Sequence, residues 1–218
     1  MKITKQTIAL LAFFTLGALS VPAPAQTTEI APKGIYKEID VARHNKAIEA
    51  LNSENPKLKQ QTVAAILNNP NYYNPPVIYA LSRELLNQGK KDEAAYWFYL
   101  AQLRARYDAN LCMDNSAKEG VSVLNNEYGP DINKYAFNDL GKLGQTIQKV
   151  VEFVRKNPEN YDHRWLNLHG MRAVMSSLDD KKETTELSQP KAKWPAIKKK
   201  TIDDYYDGFT QALKKLRK

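Results

Sequence analysis

Two Asn-Pro steps, Asn55-Pro56 and Asn74-Pro75, do most to limit what this chain folds into. Asparagine accepts a hydrogen bond from the first free amides of a helix. Proline suits the first helical position, where its missing N–H would have no partner anyway. Each step therefore reads as a helix start. Gly89 reads as the stop of the helix begun at Pro75, and Gly129-Pro130 as the stop of a later one. Strand signals are weak, with no Asn-Gly or Asp-Gly step between alternating apolar runs. The expected fold is all-α, a helical-repeat-like array of about seven to eight helices. They are expected over 38–51, 56–68, 75–88, 92–108, 114–127, 139–156, 161–176 and 201–217.

The pair 75–88 and 92–108 carries the sharpest pattern. Ile78, Leu81, Ser82 and Leu85 fall at i, i+3, i+4 and i+7, one face of a helix. Beyond Gly89, Ala94, Phe98 and Ala101 do the same, with small residues on either side of an aromatic. These seven residues resemble the hairpin of a tetratricopeptide or Sel1-like repeat. The resemblance covers 75–108. It departs at Arg106, which stands where a closing proline is usual, and no second clean copy follows. Segments 38–68 and 114–156 lack the Ala–aromatic–Ala signature. A lone repeat does not bury its face, so neighbouring helices are expected to cover it. The resemblance implies a groove that binds peptides or protein segments.

Within this hairpin Tyr96, Trp97, Phe98 and Tyr99 are consecutive. At 100° per residue they point in nearly every direction, which suits a central helix contacted all round. The alternative is a wall of tyrosines, Tyr96 and Tyr99, lining a partner groove. Arg104, Arg106 and Asp108 follow on the same helix. Asp162, His163 and Arg164 form a second polar group. These charges are expected to tie helices together or to rim a partner site.

Lys2 and Lys5, the apolar run 8–21 and Ala23-Pro24-Ala25 have the layout of a cleaved secretory signal, residues 1–25. The run is shorter than the ~20 residues of a spanning helix, the rival reading. Residues 26–37 read as a leader, 38–177 as the helical domain and 178–200 as a surface linker with Trp194 as its apolar anchor. The expected location is the periplasm.

Cys112 is the only cysteine, so packing rather than an internal disulfide must hold the fold. A buried, inert thiol is expected. The alternative is a cysteine-dependent hydrolase using Cys112 with His163 or His169 and Asp162. His163 and His169 lie about 240° apart on a helix, unsuited to one ion, and no HExxH or CxxC occurs. The segment 120–124 misses the nucleophile-elbow pattern at Leu124. No cofactor or metal is expected.

The formal charge is +8. Residues 26–190 hold 21 basic and 21 acidic residues, whereas 191–218 hold nine basic and three acidic. The basicity is C-terminal, which argues against a nucleic-acid partner. The stretch 201–217 is amphipathic, with Thr201 placed as N-cap and Asp204 in the capping-box position. Docking through Tyr205, Phe209, Leu213 and Leu216 is expected. The alternative is weak contact of the basic tail with an anionic membrane surface. Together these readings describe an exported helical module that binds another protein: a scaffold, an adaptor, or an immunity-type protein against an envelope-acting effector.

Overall fold

The computed structural model describes residues 31–178 and 186–217. The expected signal peptide, the start of the leader and part of the 178–200 linker lie outside them. Among the described residues the chain is all-α. Its helices are α1 (Ala42–Asn52), α2 (Pro56–Asn68), α3 (Pro75–Asn87), α4 (Lys91–Leu111), α5 (Glu119–Ala136), α6 (Leu140–Lys156), α7 (Met171–Leu178) and α8 (Trp194–Leu216).

Local chemistry accounts for the starts and stops. The Asn55 side chain accepts from the Leu58 amide at 3.1 Å. Asp139 does the same for Lys142 at the start of α6, at 2.9 Å. Asn74 holds the N-cap position of α3 in extended conformation, but its side chain makes no capping bond. Gly89 ends α3 at φ 76°, with its amide bonded to the Leu86 carbonyl and the Lys90 amide to that of Leu85. This paired closure needs a left-handed residue, for which glycine carries no steric cost.

Helix α4 sits at the centre. It packs most extensively against α3 and also against α5, α6 and α8. Phe98 is 0 % exposed and meets Tyr79 of α3 edge-on, ring centres 5.5 Å apart. Ala94 and Ala101 beside it are equally buried, so the two helices approach closely.

Several boundaries differ from expectation for identifiable reasons. Helix α5 runs through Gly129-Pro130 rather than stopping there. A Cβ at Gly129 would come within 3.1 Å of the Phe98 ring, so this glycine admits α4 rather than ending α5. Pro130 itself is exposed, so its ring stands on the outer face of the helix. The expected helix 161–176 is split into a 3-10 turn, His163–His169, and α7. A Cβ at Gly170, between them, would lie 2.1 Å from the Asp114 carboxylate. That carboxylate accepts the Arg172 amide and caps α7 from outside its own segment.

Helix α8 starts at Trp194, with Pro195 in its first turn, and not at Thr201. Thr201 is interior: its hydroxyl donates to the Ile197 carbonyl at 2.8 Å and accepts from Asn110. Asp203 and Asp204 therefore pair with Lys199 and Lys200 one turn earlier instead of complementing a helix start. Leu213 and Tyr205 are buried and Phe209 is half-buried, but Leu216 is 56 % exposed and takes no part in docking. Part of the expected leader is structural. Tyr36 is fully buried in a small second core with Ile39, Ala173 and Leu187. Residues 187–189 run beside 111–113, joined by the Met113 amide to the Leu187 carbonyl and the Gln189 amide to the Leu111 carbonyl.

Candidate functional site

The polar residues singled out in the sequence divide by burial. Tyr99 is 1 % exposed, its hydroxyl donating to Asn133 of α5 at 2.9 Å and its ring meeting Phe209 of α8. Arg104 and Asp108 are both 0 % exposed. None of the three presents a surface to a partner. Tyr96 is half-buried and packs, like Trp97, against Phe153 of α6. Of the three charged residues singled out on α4, Arg106 is the exposed one, its guanidinium over the Tyr205 ring.

Asp108 organises the second group. It accepts from the Trp165 indole at 2.6 Å, from His163 Nδ1 at 2.5 Å and from the Tyr161 hydroxyl at 3.1 Å. Trp165 and His163 stand on the same 3-10 turn, begun by the Asp162 side chain accepting the Arg164 amide. Burial raises the Asp108 carboxyl, opposed by His163 and the Trp165 donor. For His163, burial works against charge, but the adjacent Asp108 carboxylate wins and lifts the imidazole above its ordinary value. One turn earlier on α4, Arg104 donates to the Pro70 carbonyl and to Asn71, with Glu159 at 3.8 Å, and Glu159 binds Lys198 of α8 at 2.7 Å. This network fastens α4 to α8 and to the loop before the 3-10 turn. Asp162 and Arg164 pair with each other and line, with Trp194 and residues 186–191, an open cavity of about 620 Å³.

The Cys112 thiol is buried and donates to Asn167 Oδ1 at 3.3 Å and the Asp114 carbonyl at 3.5 Å. Burial pushes its pKa up, away from the thiolate a nucleophile needs. Among the described residues its hydrogen bonds go to neither imidazole. His163 is occupied by Asp108, and His169 packs on Trp165. Among those residues no cluster of three or more His, Cys, Asp or Glu is placed to hold a metal ion. No helix there is long and apolar enough to cross a membrane.

Sequence reasoning missed a groove between α1 and α5. It has a volume of about 590 Å³. Val41 and Ile48 form one wall, Val123 and Leu124 the other, and Trp165 and Leu168 line it from the 3-10 turn. Val123 is 60 % exposed. The available signal was Val123 itself. It lies about 200° around α5 from Val121, off the face that packs inward. No protein-family model, curated protein or solved structure matches the chain.

Proposed function

We propose that the chain is an exported helical module that binds another protein, of the scaffold, adaptor or immunity type, and that it receives an apolar segment of that partner between α1 and α5. One observation carries the reading: a concave apolar surface of about 590 Å³ whose outer wall, Val123, is 60 % exposed. Scattered exposed apolar residues are ordinary, but a concave cluster of this size suits a binding site. Export to the periplasm rests on the pattern of residues 1–25. The buried, hydrogen-bonded Cys112 thiol favours binding over covalent chemistry.

The test compares the parent protein with Val123→Glu as bait in envelope extract. A partner retained by the parent and lost by a Val123→Glu protein of equal melting temperature supports the groove. Equal retention by both places binding elsewhere. Export is checked separately by the mass of the periplasmic protein, expected to begin near Gln26.

A further inference from the structure

The groove is selective in its polar groups. In a chain of formal charge +8, its lining holds two glutamates, Glu119 and Glu127, and neither Lys nor Arg. Glu127 is already met by Arg83, at 3.2 Å, which also lies over the Tyr128 ring. No ion pair among the described residues involves Glu119, which is exposed in the first turn of α5. The remaining titratable group of the lining is His169.

Asn74 supplies the second observation. It is 3 % exposed, it lines the groove, and its carboxamide oxygen has no hydrogen-bond partner. Its backbone amide is satisfied by His44 Nδ1, so only the side chain is left over. Buried polar atoms are ordinarily paired, and an orphan calls for a specific reason. A half-turn of the carboxamide exchanges its oxygen and nitrogen, so the group adapts to an incoming donor.

We infer that the partner segment seated in this groove carries a basic residue beside its apolar anchor, with the Lys or Arg head facing Glu119 and an N–H of the segment meeting Asn74. The inference rests on the groove being the binding site and adds the chemistry of its occupant. The apolar walls take one or two aliphatic or aromatic side chains. The uncompensated carboxylate at the rim then prefers a cation, and an acidic segment would meet Glu119 and Glu127 together. A carboxylate–ammonium contact at an exposed rim discriminates modestly, about two- to fivefold in affinity. It is also weakened by salt.

Two short probes separate the chemistry from the site: acetyl-Leu-Lys-Leu-amide and acetyl-Leu-Glu-Leu-amide. Each is titrated into the protein at low salt while the methyl resonances of Val123 and Leu124 and the side-chain amide of Asn74 are followed by NMR. The expected result is saturable shifts with both, a preference of about two- to fivefold for the lysine peptide, and loss of that preference in Glu119→Gln or at high salt. Because Glu119 is exposed, its replacement leaves the fold intact. Equal affinity for the two peptides, or a preference that survives Glu119→Gln, overturns the assigned chemistry while leaving the groove as a binding site. Absence of shifts from either peptide at several-fold excess overturns the groove itself.

Discussion

Burial ends in opposite pKa shifts at His163 and His44. His163 Nδ1 rests on the buried Asp108 carboxylate, and its pKa is raised. A raised folded value means that the native state holds its proton more tightly than the unfolded chain. The resulting stability is fully present below the unfolded value near 6.5 and is lost as pH rises through the folded value. His44 is buried against Tyr73, accepts the Asn74 amide and has a lowered pKa, from burial first and then from Arg43. Its contribution is present above pH 6.5 and is lost as pH falls through the lowered value. The cost of His163→Phe, about 3–5 kcal/mol for breaking a buried pair, should therefore be larger at pH 5.5 than at pH 9. The cost of His44→Gln should be larger at pH 7.5 than at pH 5. Urea melts of each variant against the parent read both gaps, and a pH-independent gap at His163 would remove the charged pair. The sequence made Asp108 and His163 visible as ionisable residues. It did not join them, because their contact spans 55 residues and depends on how the 3-10 turn lies against α4.

At the scale of elements, the hairpin α3–α4 was the most legible part. Its residues announce themselves locally: Pro75 at the first turn, Gly89 at the left-handed stop, and small residues around Phe98. Ala94→Leu should overpack the close approach and cost about 1–3 kcal/mol. Phe98→Ala should leave a cavity between α3, α4 and α5 and cost about 3–5 kcal/mol. Gly89→Ala meets no atom within 4 Å, so its cost is purely conformational, about 1–2 kcal/mol. Chemical denaturation should rank the three with Phe98→Ala lowest. A stable Phe98→Ala would mean that the hairpin is not the centre of the core. Less legible were the elements whose limits are decided by another part of the chain. Pro130 continues α5 because the helix is packed on both sides of it, with Tyr128 and Ile132 in the core, and that packing outweighs the hydrogen bond proline removes. Gly170 breaks the chain before α7 because Asp114, 56 residues earlier, occupies the space a side chain would need. Helix α8 begins seven residues before Thr201, which has the composition of a cap but donates its hydroxyl to Ile197 and accepts from Asn110. The groove stayed hidden for the same reason: its walls come from α1 and α5, and only their approach makes a concave surface.

For the molecule as a whole, the return of α8 onto α4 and α6 is the feature that separates this fold from an open repeat array. In an open array each unit touches its neighbours alone, so the last helix frays independently. Here Tyr205 reaches across to Gln102 of α4 at 2.9 Å, Asp203 pairs with Arg155 of α6, and Lys198 binds Glu159. Ile202, Tyr205 and Leu213 are buried in the same core as Phe98. At about 1.5–3 kcal/mol for each buried large side chain, their removal withdraws a large share of the ~5–15 kcal/mol that holds a typical domain. Truncation at Lys200 should therefore lower the melting temperature sharply. It should do so equally at low and high salt, because the loss is apolar while the ion pairs Arg155–Asp203 and Lys199–Asp203 are exposed and contribute little. Native-state hydrogen exchange on the intact chain tests the same coupling without removing anything. If α8 closes the core, its interior amides exchange only with the global opening that also releases α4. Exchange of α8 at a much lower opening free energy, with α4 still protected, would make it a separable tail whose Lys-rich end is free for an anionic surface.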